Sequence, residues 1–149
     1  MFTPEIIAQF SNAPTPFYHY DLKVLEQTLK ALKAEADQYN YHVHYALKAN
    51  SNNTILKTIR EFGLGADCVS GNEILKAVEC GYDNSTIAFA GVGKSDQEIN
   101  IGLDNDIFCF NCESLPEIEV INELAAKKNK IAQIALRINP NVNAKTHHY

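Results

Sequence analysis

From residue 42 onward the chain alternates between short apolar runs and longer stretches whose apolar positions recur every three or four residues. The runs are His42–Leu47, Ala66–Val69, Thr86–Ala90, Ile107–Phe110 and Ile131–Ile138. Each is short and rich in β-branched, aromatic or small residues, as strands buried in a parallel sheet tend to be. Between them Ile74, Leu75 and Val78, and later Ile118, Ile121, Leu124 and Ala125, mark helical stripes, and Leu22, Leu25, Leu29, Leu32 and Ala36 make a longer one before the first run. Three corners read Ser-x-x-Glu: Ser70 to Glu73, Ser95 to Glu98 and Ser114 to Glu117. In a capping box the serine hydroxyl accepts from the N3 amide while the glutamate reaches back to the N-cap amide. Each corner therefore predicts a helix starting just after a strand.

Strand–helix alternation at about 20–24 residues per unit implies right-handed crossovers and a parallel sheet. Two architectures satisfy it. An open doubly wound sheet could be complete near 149 residues. A (β/α)8 barrel needs about 250, so this chain would supply about five of its eight units. The pattern by itself does not choose.

Composition narrows the function more than the fold. The formal charge of −5 and pI near 5.5 argue against a basic face for nucleic acid or anionic membrane. Met1-Phe2-Thr3-Pro4-Glu5 lacks the basic start and apolar run of a secretory signal. No stretch approaches the roughly 20 apolar residues of a membrane span. Cys68, Cys80, Cys109 and Cys112 lie in apolar surroundings rather than in a regular framework, which fits free thiols in the cytoplasm. The Asn52-Asn53-Thr54 and Asn84-Ser85-Thr86 sequons are then chance matches.

Several motifs weaken on inspection. Cys109 and Cys112 form a C-x-x-C, but at a strand end, where residues three apart face opposite ways; structural burial is the expectation. Ala88 to Ser95 nearly spells a P-loop ending Gly93-Lys94-Ser95, the first glycine being replaced by Ala88; a nucleotide-binding α/β domain is the runner-up. His42 and His44 share a strand face, yet no third metal ligand stands near. No metal site is expected.

Tyr45-Ala46-Leu47-Lys48-Ala49-Asn50 is different. It puts a lysine at the end of the first strand, where parallel βα architectures place their chemistry. From composition alone such a lysine reads more readily as one snorkelling to solvent. An amine must be neutral to bond a carbonyl covalently, and at pH 7 an ordinary lysine gives up its proton at a cost of about 4.6 kcal/mol. A semi-buried pocket would lower that cost.

The stretch Tyr45 to Gly63, with Ile55, Leu56 and Ile59 behind Lys48, resembles the cofactor-attachment motif of the alanine-racemase-like pyridoxal-phosphate-dependent amino-acid decarboxylases. Thr15-Pro16-Phe17-Tyr18, Gly65 to Glu73, Ala90 to Asp96, Phe110 to Ser114 and Leu136 to His147 are similar to that family as well, in its branch acting on meso-diaminopimelate rather than on ornithine or arginine. The resemblance implies an α/β fold: a partial (β/α)8 TIM barrel over residues 21–149, preceded by residues 1–20 contributing to a β-domain. It further implies pyridoxal 5'-phosphate held covalently by Lys48, with Asp67 and Arg137 near it; decarboxylation of a small amino acid; and a cytoplasmic homodimer when full length. The other implied possibilities are a related decarboxylase of a basic amino acid or carboxynorspermidine, and a non-catalytic pyridoxal-phosphate-binding protein. Most of the family's substrate contacts, and its C-terminal β-domain, would lie beyond Tyr149, so the 149-residue chain alone is expected not to turn over substrate.

Overall fold

The structure is a computed structural model describing residues 2–142. Five strands, β1 (His44–Ala46), β2 (Gly65–Cys68), β3 (Ile87–Phe89), β4 (Cys109–Cys112) and β5 (Ile134–Leu136), form one sheet, each falling inside or within two residues of its apolar run. The helices are α1 (Pro4–Ser11), α2 (Leu22–Gln38), α3 (Asn53–Glu61), α4 (Gly71–Glu79), α5 (Asp96–Asp104) and α6 (Leu115–Lys127).

Strand order decides between the two architectures. All four pairings are parallel and the order is β1-β2-β3-β4-β5, the same as along the chain. A doubly wound sheet reverses direction at a switch point and carries helices on both faces. Sequential order with right-handed crossovers puts every crossover helix on one face, and such a sheet curls toward a barrel. The sheet is open here, with β1 and β5 as its edges.

The two faces have opposite compositions. Leu47, Ala66, Cys68, Ile87, Phe89, Phe110 and Cys112 join Ile74, Ala77, Ile99, Leu103, Ile121 and Ala125 of α4–α6 in one buried cluster. The alternate positions, paired in register as Ala46, Asp67, Ala88 and Cys109, line the other face and are mostly small. A second cluster, Leu29, Ile55, Ile59 and Leu64, joins α2 to α3. Two expected core positions face solvent instead: Leu75 and Leu32 are exposed, and Ala77 takes the inward position on α4. Both helices bury a narrower stripe than the sequence suggested.

Helix ends follow local chemistry. The Asn52 side chain caps α3 by accepting from the Thr54 and Ile55 amides, and Gly63 ends that helix at φ +79°, where a side chain would be strained. Of the three predicted capping boxes only Ser95–Glu98 closes as written. Ser70 and Ser114 accept from the N3 amides, but Glu73 and Glu117 pass over the N-cap and accept from Val69 and Glu113, one residue earlier. Residues 4–11 form a helix started by the Thr3 hydroxyl and Pro4, and no strand occurs among residues 2–21. No helix among the described residues is long and apolar enough to cross a membrane.

Two outcomes are expected. A Cβ at Gly102 would lie 2.7 Å from the Phe110 ring, so Gly102→Ala should cost about 1–3 kcal/mol by overpacking, read from denaturant unfolding of the full-length protein. An unchanged midpoint would contradict that packing. On β5, Ile134 and Leu136 are 41% and 59% exposed beside an unpaired edge. The isolated 149-residue chain should therefore self-associate in size-exclusion chromatography, and a monodisperse monomer would refute this.

Candidate cofactor site at the strand ends

The residues singled out from the sequence all sit toward one rim. After β1 the chain makes a single 3-10 turn, Leu47–Ala49. Leu47 is fully buried and anchors that turn in the core, while Lys48 stands exposed beside it. The Tyr45 hydroxyl donates to the Asn50 carbonyl at 3.4 Å, and the Asn50 side chain accepts from the Asn52 amide at 2.9 Å. The attachment-like motif is thus a tied loop between strand and helix, with its lysine pointing to solvent. Burial raises the Tyr45 hydroxyl above its usual range, and nearby Tyr20 adds to this.

Lys48 is exposed, as composition alone suggested, and residues 2–142 do not form the semi-buried pocket that would neutralise its amine. Five strands make a wall on one side only, and a wall on one side does not desolvate an amine.

Asp67 is half-buried on the open face, paired in register with Ala46 and Ala88. Arg137 directly follows β5, where its amide donates to the Cys112 carbonyl at 2.9 Å. Its Nη1 donates to both Glu113 oxygens, at 2.9 and 3.2 Å. Lys48, Asp67 and Arg137 are therefore all at C-terminal strand ends, on β1, β2 and β5. Of the three, Arg137 has a direct charged partner that the sequence did not suggest.

Behind Arg137 runs a chain of contacts. Glu117 Oε2 accepts from the Glu113 amide at 2.6 Å, and Oε1 accepts from Lys94 Nζ at 2.7 Å. Lys94 Nζ also donates to the Gly91 and Asn111 carbonyls, both at 2.8 Å, and lies 5.3 Å from the Phe89 ring centroid. Its side chain is 1% exposed. This removes the nucleotide-binding reading of Gly93-Lys94-Ser95: a P-loop lysine must reach a phosphate, whereas all three donors of this ammonium are engaged within the protein. Each of these residues was visible in the sequence, but their contact was not, because 23 residues separate Lys94 from Glu117.

The adjoining loop repeats the device. Glu98 Oε1 accepts from the Gly71 amide at 3.0 Å, and Oε2 accepts from the Ser95 amide and hydroxyl. The glutamate that starts α5 thus also caps α4.

Cysteine chemistry is confined to packing. All four thiols are free and buried, and burial pushes Cys68 up to about 12, with Glu73 and Asp67 adding to it. Cys109 and Cys112 are raised mainly by burial too. Thiols held protonated are poor nucleophiles, as the structural reading of the C-x-x-C expected. Among the described residues no group of three metal-ligating side chains occurs. A cleft of about 590 Å³ opens at the opposite end of the strands, among Val43, His44, Phe62, Leu64, Thr86 and Phe108, away from Lys48. His147 lies outside the described residues.

A primary amine, a carboxylate and a guanidinium at one rim, above a floor of Ala46, Ala88 and Cys109, suit a flat, anionic aldehyde cofactor. Small side chains leave room for a ring, and the charges match.

Comparison with known proteins agrees. Residues 22–149 match the family described as pyridoxal-dependent decarboxylase, pyridoxal binding domain. The diaminopimelate decarboxylase of Bacteroides thetaiotaomicron is 60% identical over 142 residues, which cover 95% of this chain and 37% of that protein. The crystal structure of Helicobacter pylori diaminopimelate decarboxylase complexed with L-lysine superposes with a TM-score of 0.87 at 40% identity, covering 95% of this chain and 36% of that one. An arginine decarboxylase from Paramecium bursaria Chlorella virus, bound to agmatine, gives 0.66 at 25% identity over 78% of this chain and 32% of its own. The chain thus spans about a third of the length of these relatives.

The rim carries a pH-dependent element. The Gly71 amide first, then the Ser95 groups, hold the Glu98 carboxyl below the ordinary glutamate range. A depressed carboxyl contributes stability that is full above the unfolded value and lost as pH falls through the folded one. In the full-length protein Glu98→Gln should therefore flatten the acid limb of thermal stability below about pH 4.5. Parallel pH profiles for the two proteins would count against the cap.

Proposed function

This chain belongs to the pyridoxal-dependent decarboxylases through their pyridoxal-binding domain, and from that membership we propose that the whole protein decarboxylates meso-2,6-diaminopimelate to L-lysine. The observation that carries this reading is the identity of 60% with a diaminopimelate decarboxylase, extending over 95% of the chain. The bound L-lysine in the Helicobacter pylori structure supports the product assigned here.

Pyridoxal phosphate, when bound, supplies an electron sink for the bond to the departing carboxylate. Lys48 is the residue we assign to hold it covalently, from the tied turn after β1. Asp67, in register with Ala46 and Ala88 on the same face, would lie near the bound group. Arg137 would donate to an anionic oxygen of the bound group. Desolvation of Lys48, which the five strands do not provide, comes from the rest of the protein, and the isolated chain therefore should not turn over. The free, buried cysteines support a reducing, cytoplasmic setting. Residues 1–20 join a β-domain, and the full-length protein forms a homodimer.

Replacing Lys48 with alanine in the full-length protein tests the assignment. The visible absorbance of covalently held cofactor should vanish and kcat should fall by roughly a thousandfold or more. Retention of both would sink the role given to Lys48. Turnover of ornithine or arginine in preference to meso-diaminopimelate would overturn the substrate assignment.

A further inference from the structure

We propose that Glu113 is a positioning residue for Arg137, holding its guanidinium at the rim from a backbone fixed by the buried Lys94–Glu117 pair. This rests on the reading that places Arg137 at the cofactor. Lys94 and Glu117 side chains are 1% and 12% exposed. A buried ion pair gains little stability over apolar side chains of similar size, because desolvation offsets attraction. Stability alone is then a weak reason for such a pair at this place.

Its geometry supplies a better one. The ammonium spans from the Gly91 carbonyl, after β3, to the Asn111 carbonyl on β4. Through Glu117 it also fixes the Glu113 amide. The backbone is therefore pinned at Asn111 and Glu113, on either side of the buried Cys112. The Glu113 side chain leaves from that fixed point and is 19% exposed, whereas Arg137 is 58% exposed.

An ion pair between two freely moving surface side chains is worth little, since both must be ordered. Here one partner is already ordered, so the carboxylate can direct the arginine at small entropic cost. Both Glu113 contacts fall on Nη1, leaving the guanidinium's other N–H groups outside the pair. The pair is also neutral overall. Arg137 then meets an anionic oxygen as an aimed hydrogen-bond donor whose positive charge is already balanced.

The test uses the full-length protein with Glu113→Ala, Glu113→Gln, Arg137→Ala and the Glu113→Ala, Arg137→Ala double variant. For each, pyridoxal phosphate affinity is titrated by fluorescence, the visible circular dichroism of bound cofactor is recorded, and kcat and KM are measured beside the melting temperature. Glu113→Ala should weaken cofactor affinity about tenfold, a coupling typical of contacting residues, and change the dichroic band. Glu113→Gln, which keeps an acceptor oxygen, should recover part of the loss. The double variant should bind no worse than Arg137→Ala alone. The proposal is overturned if Arg137→Ala weakens binding while Glu113→Ala leaves affinity and dichroism unchanged, or if the two losses multiply. An Arg137→Ala variant with normal affinity and turnover would instead overturn the role given to Arg137, and this proposal with it.

Discussion

Side chains of a strand alternate between two faces, and in this sheet one face is committed to the helices. Right-handed crossovers between neighbouring parallel strands leave no other arrangement. Phe89 and Phe110 must therefore face the helices, and the strand residues next to them, Ala88 and Cys109, face the hollow side. That single constraint separates packing from chemistry. Large apolar residues stabilise the helix side, and the opposite positions are released to be small or charged. Ala46, Asp67 and Ala88 adjoin in register for this reason.

How far the sequence disclosed this can be judged element by element. The strands were legible because their period and length are local properties, as are the stripes of α2, α4 and α6 and the serines that open α4, α5 and α6. The choice between an open sheet and a barrel was not, since strand order is a relation between units that no single window contains. The local signal for α1, Thr3 before Pro4, is a single cap on a helix of 8 residues. At the site, the positions of Lys48, Asp67 and Arg137 on the chemical rim followed from strand ends. Their surroundings did not: the sequence left Lys48 between a snorkelling lysine and a pocketed one, and the fold sends Leu47 into the core while Lys48 stays exposed.

The capping glutamates show a similar limit. From sequence, Ser-x-x-Glu promises a closed local ring. In the fold a carboxylate has two oxygens and more than one neighbour in need of an acceptor. Glu98 therefore serves two helices, and Glu117 serves a backbone amide and a lysine from the preceding loop. A residue chosen for starting a helix becomes a tie between adjacent loops. The rim is thus stitched by the same residues that begin its helices.

Sequential strand order has a consequence for synthesis. A growing chain offers β1 before β2, and β2 before β3, so each new strand meets a partner already made. At about 5–20 residues per second, a unit of 20–24 residues emerges in roughly one to five seconds. During that interval the newest strand presents a bare edge and its predecessor does not. The hazard of an unpaired edge thus moves along the nascent chain with the ribosome on one side of the sheet, while β1 keeps the other edge open.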